Sequence, residues 1–361
     1  MTEKRLRLAV IGAGEHATNV IHPALIFNDR IDVVGCCDRD TNRANLAAKR
    51  LAAPAFTEAS HMLSTVKADA AIVVAFPWVQ AELTIECLEA GLHVFTEKPL
   101  ATELDQAKRV KAAAAKAKRQ VSVGFMMRFN PVFQKMQEAI KSVGFGEPSL
   151  FHSRFVAGYR PKTSDLLRVG SIHIFDLARW LFGPFREVYA THFEKEDGQV
   201  SIAVNATLGG GVLRDGALGH GATGKRTVAS LVLSSLGLWA SKGQLYAEVI
   251  GDRNVFSVDN ARDWTWQKPP LETIREGNTQ TMKEIPRPAE LAIPNYMNVS
   301  RFDMHTFFLN GYYGCIEAFV DSLLGNGEGA NDLPMIEDGI AALETAIAIE
   351  QSVQTGQSVR L

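Results

Sequence analysis

The sequence predicts an α/β protein in two parts: a parallel sheet covered by helices on both faces, then a largely antiparallel sheet. Three observations carry this. Over the first 125 residues, short apolar runs alternate with helix-like segments, the pattern of a parallel sheet. Beyond about residue 125, strand-like runs with alternating polarity become frequent, which suits antiparallel pairing. A glycine-rich turn, Gly12-Ala13-Gly14-Glu15-His16-Ala17, follows the first strand and opens the first helix. That is the context in which G-x-G-x-x-G/A has force.

In order along the first part, strands are expected at Leu6–Ile11, Ile31–Cys37, Ala70–Ala75, His93–Thr96 and Val121–Gly124. Helices are expected between them at 15–27, 41–52, 79–90 and 102–118. The run Ala70-Ala71-Ile72-Val73-Val74-Ala75 is continuously apolar, as a strand buried on both sides should be. Thr102 opens a helix with Asp105 as a weak capping partner, and Lys111 to Lys116 is strong helix-forming material.

In the second part, strands are expected over 150–155, 187–193, 227–234 and 243–258. Gly209-Gly210-Gly211 and Gly219 to Gly224 mark turns or loops. The stretch from Trp264 to Asn298 is rich in proline and polar residues, lacks a period, and reads as a long excursion near a site or an interface. Helices return at 311–324 and 337–353, and no internal repeat is evident.

Composition narrows the function. The chain has 361 residues, 46% hydrophobic and 22% charged, ordinary for a globular protein and long enough for two domains. A net charge of -2 argues against a broad basic surface for nucleic acid. No run approaches the roughly 18 apolar residues a membrane span needs, and the first apolar run is too short for a signal segment. Cys36, Cys37, Cys87 and Cys315 include no C-x-x-C pair, so no metal is expected and buried thiols are the simplest reading. A cytoplasmic location is expected.

The glycine turn suits a dinucleotide. Gly12 permits the tight turn, Gly14 leaves room for a pyrophosphate against the backbone, and Ala17 lets helix and strand pack closely. The helix N-terminus adds unpaired N–H groups and positive dipole. Asp38 lies 24 residues beyond Gly14, after the second strand. A carboxylate there can bind ribose hydroxyls and favours NAD, whereas Arg39 and Arg43 leave NADP open. His16 is placed to reach phosphate or nicotinamide, or simply to line the helix surface.

Two further landmarks carry chemistry. Glu97-Lys98-Pro99 follows the strand His93–Thr96. Proline forbids helix at Lys98, and strand C-terminal ends of open α/β sheets gather ligands. A lysine there can bind a substrate hydroxyl and ease proton transfer; a surface lysine in a loop is the plain alternative. In Gly170-Ser171-Ile172-His173-Ile174-Phe175-Asp176 to Gly183, His173, Asp176 and Trp180 share a helix face. A histidine one turn from a carboxylate can act as a tuned acid/base, or be a core histidine paired with aspartate.

Together these landmarks resemble the glucose-fructose oxidoreductase / inositol dehydrogenase / rhizopine catabolism (Gfo/Idh/MocA) family. The resemblance rests on the glycine turn, Gly91 to Leu100, Arg128-Phe129-Asn130-Pro131, His173-Ile174-Phe175-Asp176 and Glu337 to Glu344. It implies an N-terminal Rossmann domain with a doubly wound parallel sheet over 1–124. A substrate-binding and oligomerisation domain over 125–361 follows, with a large, open, mostly antiparallel sheet and a closing helix at 337–353 that returns to the first domain.

The activity implied is hydride transfer between NAD(P) and a secondary alcohol or ketone of a sugar, sugar derivative or cyclitol, in a homodimer or homotetramer. Lys98 and His173 would be catalytic, the histidine taking the hydroxyl proton and the lysine orienting the hydroxyl. Asp176 and Arg128 would meet substrate; Tyr159 and Arg160, with Lys162 in a polar segment before the His173 helix, could bind its hydroxyls or a carboxylate, or be exposed loop residues. Gly12, Gly14, Glu15, His16, Asp38, Arg39, Pro77, Trp78, Glu97 and Lys98 would hold the cofactor.

The chain departs from the family pattern at Val169, where polyol-oxidising members usually carry aspartate. It departs again at Ala75 and Gln80, where threonine and histidine are frequent. Two other functions fit the same landmarks: an NAD-retaining glycosidase and a non-enzymatic dinucleotide-binding sensor.

Overall fold

The computed structural model describes residues 5–209, 226–237, 244–252, 254–261, 263–268, 282–284, 310–325 and 332–361. The described residues of Met1–Asn130 and Val299–Leu343 form one compact unit, and those of Pro131–Asn298 and Glu344–Leu361 form another.

The first unit is built on six strands: β1 (Leu6–Ile11), β2 (Ile31–Cys37), β3 (Ala55–Phe56), β4 (Ala70–Val73), β5 (His93–Thr96) and β6 (Val121–Val123). All pair in parallel, in the order β3-β2-β1-β4-β5-β6. This is the doubly wound arrangement, with the strand order reversing between β1 and β4. The crevice at that reversal lies beside the glycine turn, which leaves the end of β1. β4 is buried throughout, as its unbroken apolar sequence requires. It ends two residues earlier than expected because the Ala75 N–H is taken by the Gln80 side chain rather than by a neighbouring strand.

Helices α2 (Thr41–Leu51), α3 (Ala59–Thr65), α4 (Pro77–Glu89) and α5 (Leu104–Ala117) join these strands. The expected single helix over 15–27 is instead a π-helical stretch, Ala17–Ile21, running into α1 (His22–Ile26). Pro23 has no N–H to donate to residue 19, and the His22 N–H reaches back to the Ala17 carbonyl. α5 begins later than expected. Its cap is Glu103, whose N–H donates to Gln106 Oε1 at 3.3 Å, so Gln106 rather than Asp105 closes the capping box. β3 and α3 are additional to the expected elements; a two-residue strand carries no period to read.

In the second unit, nine strands lie in the order β14-β13-β12-β11-β7-β10-β9-β8-β15. They are β7 (Leu150–Val156), β8 (Phe185–Glu194), β9 (Val200–Gly209), β10 (Arg226–Ser234), β11 (Leu245–Gly251), β12 (Asn254–Asp259), β13 (Asp263–Lys268), β14 (Met282–Glu284) and β15 (Val359–Arg360). Only β7 with β10 is parallel; every other described pair is antiparallel. The run 243–258, expected as one strand, is the hairpin β11–β12, because Gly251, Asp252 and Asn254 supply turn residues. Trp264 to Lys268 and Met282–Glu284 pair into the sheet, so part of the expected excursion is strand. The rest of that excursion, Gly210, Gly211 and Gly219 to Gly224 lie outside the described residues.

Helix α6 (Pro131–Lys141) precedes the sheet, and α7 (Ile172–Phe182) packs on it. α6 buries Val132, Phe133, Met136, Ala139 and Ile140, one helical stripe. α7 sets Phe182 against Phe151 at 5.1 Å and Phe175 against Phe185 at 6.4 Å, ring centre to ring centre. Each such buried side chain contributes roughly 1.5–3 kcal/mol. The helix stops at Gly183, whose φ of +91° suits glycine. Helices α8 (Tyr312–Leu324) and α9 (Ile336–Thr355) complete the described chain. α9 runs through the division between the units at Leu343 and Glu344.

Candidate active site

The turn after β1 has no room for a side chain at its first glycine. Gly12 has φ +109°, and a Cβ there would lie 1.9 Å from the Val74 carbonyl oxygen. Gly14 is the opposite case: a Cβ would meet nothing within 4 Å. Open space therefore lies directly over the start of the helical segment, where its N–H groups are unpaired.

Two side chains brace this turn from below. Asp38, just past β2, accepts the Ala13 N–H at 2.8 Å through Oδ2 and the Asp40 N–H at 2.9 Å through Oδ1. His22 is buried, and its Nε2 lies 3.1 Å from the Gly12 carbonyl oxygen. Burial pushes its pKa down to about 4, against the Gly12 hydrogen bond, which favours the charged form. His22 is therefore neutral near pH 7 and donates to Gly12.

At the end of β5, Glu97 is 3% exposed. Its Oε2 accepts the Lys98 N–H at 3.1 Å. Its Oε1 accepts no hydrogen bond and lies 3.5 Å from His16 Nε2. A Cβ on Gly124 would come within 2.9 Å of that oxygen, so the carboxylate occupies the space a larger residue would need. The His16 ring meets the buried Tyr312 ring edge-on at 5.5 Å. Lys98 is half-buried and precedes a cis peptide bond to Pro99.

Gln80, in the first turns of α4, is fully buried. Its Oε1 accepts the Ala75 N–H at 3.1 Å. Its Nε2 donates to the Glu97 carbonyl and, at 2.9 Å, to the Pro99 carbonyl. One turn on, the Thr84 hydroxyl bridges the Gln80 carbonyl and the Thr96 hydroxyl. Neither Gln80 nor Tyr312 is among the expected site residues. Gln80 stood out only as a departure from the family histidine; Tyr312, more than 200 residues from His16, gave no signal.

The structure thus brings Gly12, Gly14, His16, Asp38, Glu97 and Lys98 to the C-terminal ends of β1, β2 and β5. Glu15 and Arg39 are exposed near them in sequence. Pro77 opens α4, and Trp78, 63% exposed, stacks on Phe76 at 4.7 Å. Arg128, on the turn after β6, is 5% exposed, and its Nη2 is 3.1 Å from Asp338 Oδ1. Asp338 Oδ2 in turn accepts the Met335 N–H at 2.8 Å, so this pair ties the 3₁₀ turn Met126–Phe129 to the start of α9.

In the second unit, His173 and Asp176 are both buried on the first turns of α7. The π-helical stretch Leu166–Gly170, which includes Val169, leads into them. It is held by Arg168, whose guanidinium reaches Glu350 of α9 at 2.7 and 3.1 Å. Tyr159 is exposed, and its carbonyl accepts from Arg160 at 2.8 Å. Among the described residues no group of three or more His, Cys, Asp or Glu could hold a metal, and no helix is long and apolar enough to cross a membrane.

A pattern described as an oxidoreductase family's NAD-binding Rossmann fold matches residues 6–125. Its companion, the family's C-terminal alpha/beta domain, matches residues 138–361. An inositol 2-dehydrogenase of Saccharopolyspora erythraea is 31% identical over 180 residues, 49% of this chain and 53% of that protein. One from Paenarthrobacter aurescens is 34% identical, covering 51% and 58%. The match thus spans little more than half the length of these two relatives. The myo-inositol 2-dehydrogenase of Thermotoga maritima is 28% identical, covering 72% of this chain and 80% of that protein. In fold, the chain is similar to the WlbA dehydrogenase of Bordetella pertussis, crystallised with NADH and UDP-GlcNAcA. The TM-score is 0.73 at 21% identity, over 100% and 99% of the two chains.

Proposed function

The chain belongs to the Gfo/Idh/MocA family of oxidoreductases, with its NAD-binding Rossmann fold, and we propose that it oxidises or reduces a sugar, sugar derivative or cyclitol at a secondary carbon. The observation that carries this reading is the C-terminal end of the parallel sheet. There an open glycine turn, a buried carboxylate oxygen without a hydrogen bond and a half-buried lysine occur together.

These residues fit a dinucleotide. The space over Gly14 admits a pyrophosphate, and the orphaned Glu97 Oε1 can accept a ribose hydroxyl. Asp38 retains lone pairs for the adenosine ribose beyond the two N–H groups it already binds, which favours NAD; Arg39 is the residue to test for NADP. Glu15, His16, Pro77 and Trp78 complete the proposed cofactor contacts. The bound nicotinamide supplies the hydride donor or acceptor.

Lys98 orients the substrate hydroxyl and stabilises its developing negative charge. His173 takes the hydroxyl proton, with Asp176 holding the imidazole or the substrate. Tyr159 and Arg160 are proposed substrate contacts. Arg128, whose guanidinium pairs with Asp338, is a further proposed substrate contact. The inositol dehydrogenases among the relatives make cyclitols the first substrates to try.

A cytoplasmic homodimer or homotetramer is the proposed working form. Tyr189, Phe193 and Val228, between 41% and 61% exposed, lie on one face of the nine-stranded sheet and could be covered by a second copy. Light scattering on the purified protein tests this.

The deciding assay is NAD and NADP reduction across inositols, sugars and sugar acids. Turnover should fall about 10²–10⁴-fold in Lys98→Met and in His173→Ala. Tight NAD binding without turnover on any polyol would overturn the proposal.

A further inference from the structure

We propose that Gln80 is a positioning residue for Lys98, fixing the backbone on both sides of the lysine from a site that touches neither cofactor nor substrate. This rests on the reading of Lys98 given above and adds a residue to it. The carboxamide Nε2 donates to the carbonyl before Lys98, that of Glu97, and to the carbonyl after it, that of Pro99. The Oε1 accepts from Ala75 at the end of β4. One buried side chain therefore joins two strand ends and brackets the lysine.

The chemistry of the position is narrow. Two carbonyls and one N–H converge on this fully buried position, so the occupant must offer two donors and an acceptor without carrying charge. A primary amide does this. Glutamate of the same shape faces two carbonyls with a carboxylate; methionine of similar volume makes none of the three bonds. Histidine can serve one carbonyl and the Ala75 N–H, so it should restore part of the arrangement. Gln80 itself is held by α4, where Thr84 ties the Gln80 carbonyl to Thr96.

Gln80 bonds backbone groups and neither the Glu97 carboxylate nor the glycine turn, so its loss should reach the chemical step more than cofactor binding. The variants Gln80→Met, Gln80→Glu and Gln80→His are compared with Ser122→Ala, which removes a buried hydrogen bond from the same sheet, to the Pro334 carbonyl, and none to the lysine's neighbours. In Gln80→Met and Gln80→Glu, kcat should fall roughly tenfold to a hundredfold, the scale of a reacting group displaced by about 1 Å. The NAD dissociation constant, read by tryptophan quenching, should stay within about threefold. Gln80→His should recover part of kcat, and Ser122→Ala should lower Tm while leaving the ratio of kcat to KM near that of the parent.

A second readout needs no turnover. Reductive methylation followed by mass spectrometry gives the modification rate of Lys98 relative to the exposed Lys111 and Lys135. That ratio should change at least threefold in Gln80→Met and return toward the parent value in Gln80→His. An unchanged ratio in folded Gln80→Met, or kcat falling equally in Ser122→Ala, would overturn the positioning role. An inactive parent protein would sink the proposed reaction but not this inference, because the labelling ratio still decides it. If Gln80→Met does not fold, the isosteric Gln80→Glu answers the same question.

Discussion

The Asp38 carboxylate accepts the Ala13 N–H at 2.8 Å, so the residue read as a ribose ligand also clamps the glycine turn. Its two tasks separate on mutation. Asp38→Ala should weaken NAD binding at least about tenfold and cost roughly 1–3 kcal/mol of stability, since it removes a charged acceptor from two backbone donors. NADP affinity should fall less, because Arg39 remains. Calorimetric titration with both cofactors checks this; equal losses for the two would remove Asp38 from the ribose site.

Gly12 and Gly14 should fail in different ways. Gly12→Ala places a methyl group on the Val74 carbonyl at a positive φ and should cost at least about 2 kcal/mol. Gly14→Val meets empty space, so its Tm should match that of the parent while NAD binding is lost. Thermal melts with and without NAD distinguish them. A folded Gly14→Val that still binds NAD would mean the pyrophosphate does not approach there.

His22 makes stability depend on pH. Its pKa in the fold is about 4, lowered mainly by burial, against an unfolded value near 6.5. The unfolded chain takes up the proton first as pH falls. The contribution of neutral His22 is therefore fully present above about pH 6.5 and is lost as pH drops through 4. This should remove roughly 3 kcal/mol between those limits. Urea unfolding at pH 7 and pH 4.5 should show a smaller decline for His22→Gln, which can still donate to Gly12. Equal declines would exclude the imidazole as the cause.

Arg128 and Asp338 should behave as a coupled pair. Their side chains are only 6% and 17% exposed, and removing one partner strands a buried charge. Arg128→Ala should cost about 3–5 kcal/mol, and the double variant with Asp338→Ala less than the sum of the singles. A double-mutant cycle on Tm measures the coupling; strict additivity would show that the two do not support one another.

Much of the first unit was legible because a buried parallel strand announces itself as an unbroken apolar run. Leu6–Ile11, Ile31–Cys37 and His93–Thr96 have their expected limits. Boundaries moved where a side chain replaced a ladder bond, as Gln80 does at Ala75. β9 alternates cleanly, with Val200, Ile202, Val204, Ala206 and Leu208 buried. The stripe of α6 is equally clear, yet neither element is among those expected from the sequence. At the site, the residue types were readable and their partners were not. Nothing local to Arg128 points to Asp338, and nothing local to His16 points to Tyr312, because each pair is made by tertiary packing.

β7 stands between two runs of strands that each follow chain order. On one side lie β10, β9 and β8, and on the other β11, β12, β13 and β14. Each run pairs neighbours in chain order, but their union waits on Leu150–Val156, whose partners lie 78 residues on in β10 and 90 to 100 on in β11. The sheet should therefore assemble as two meanders before it becomes one, with β7 the last to gain protection from solvent exchange. Pulse labelling of backbone amides during refolding would follow that order directly, strand by strand.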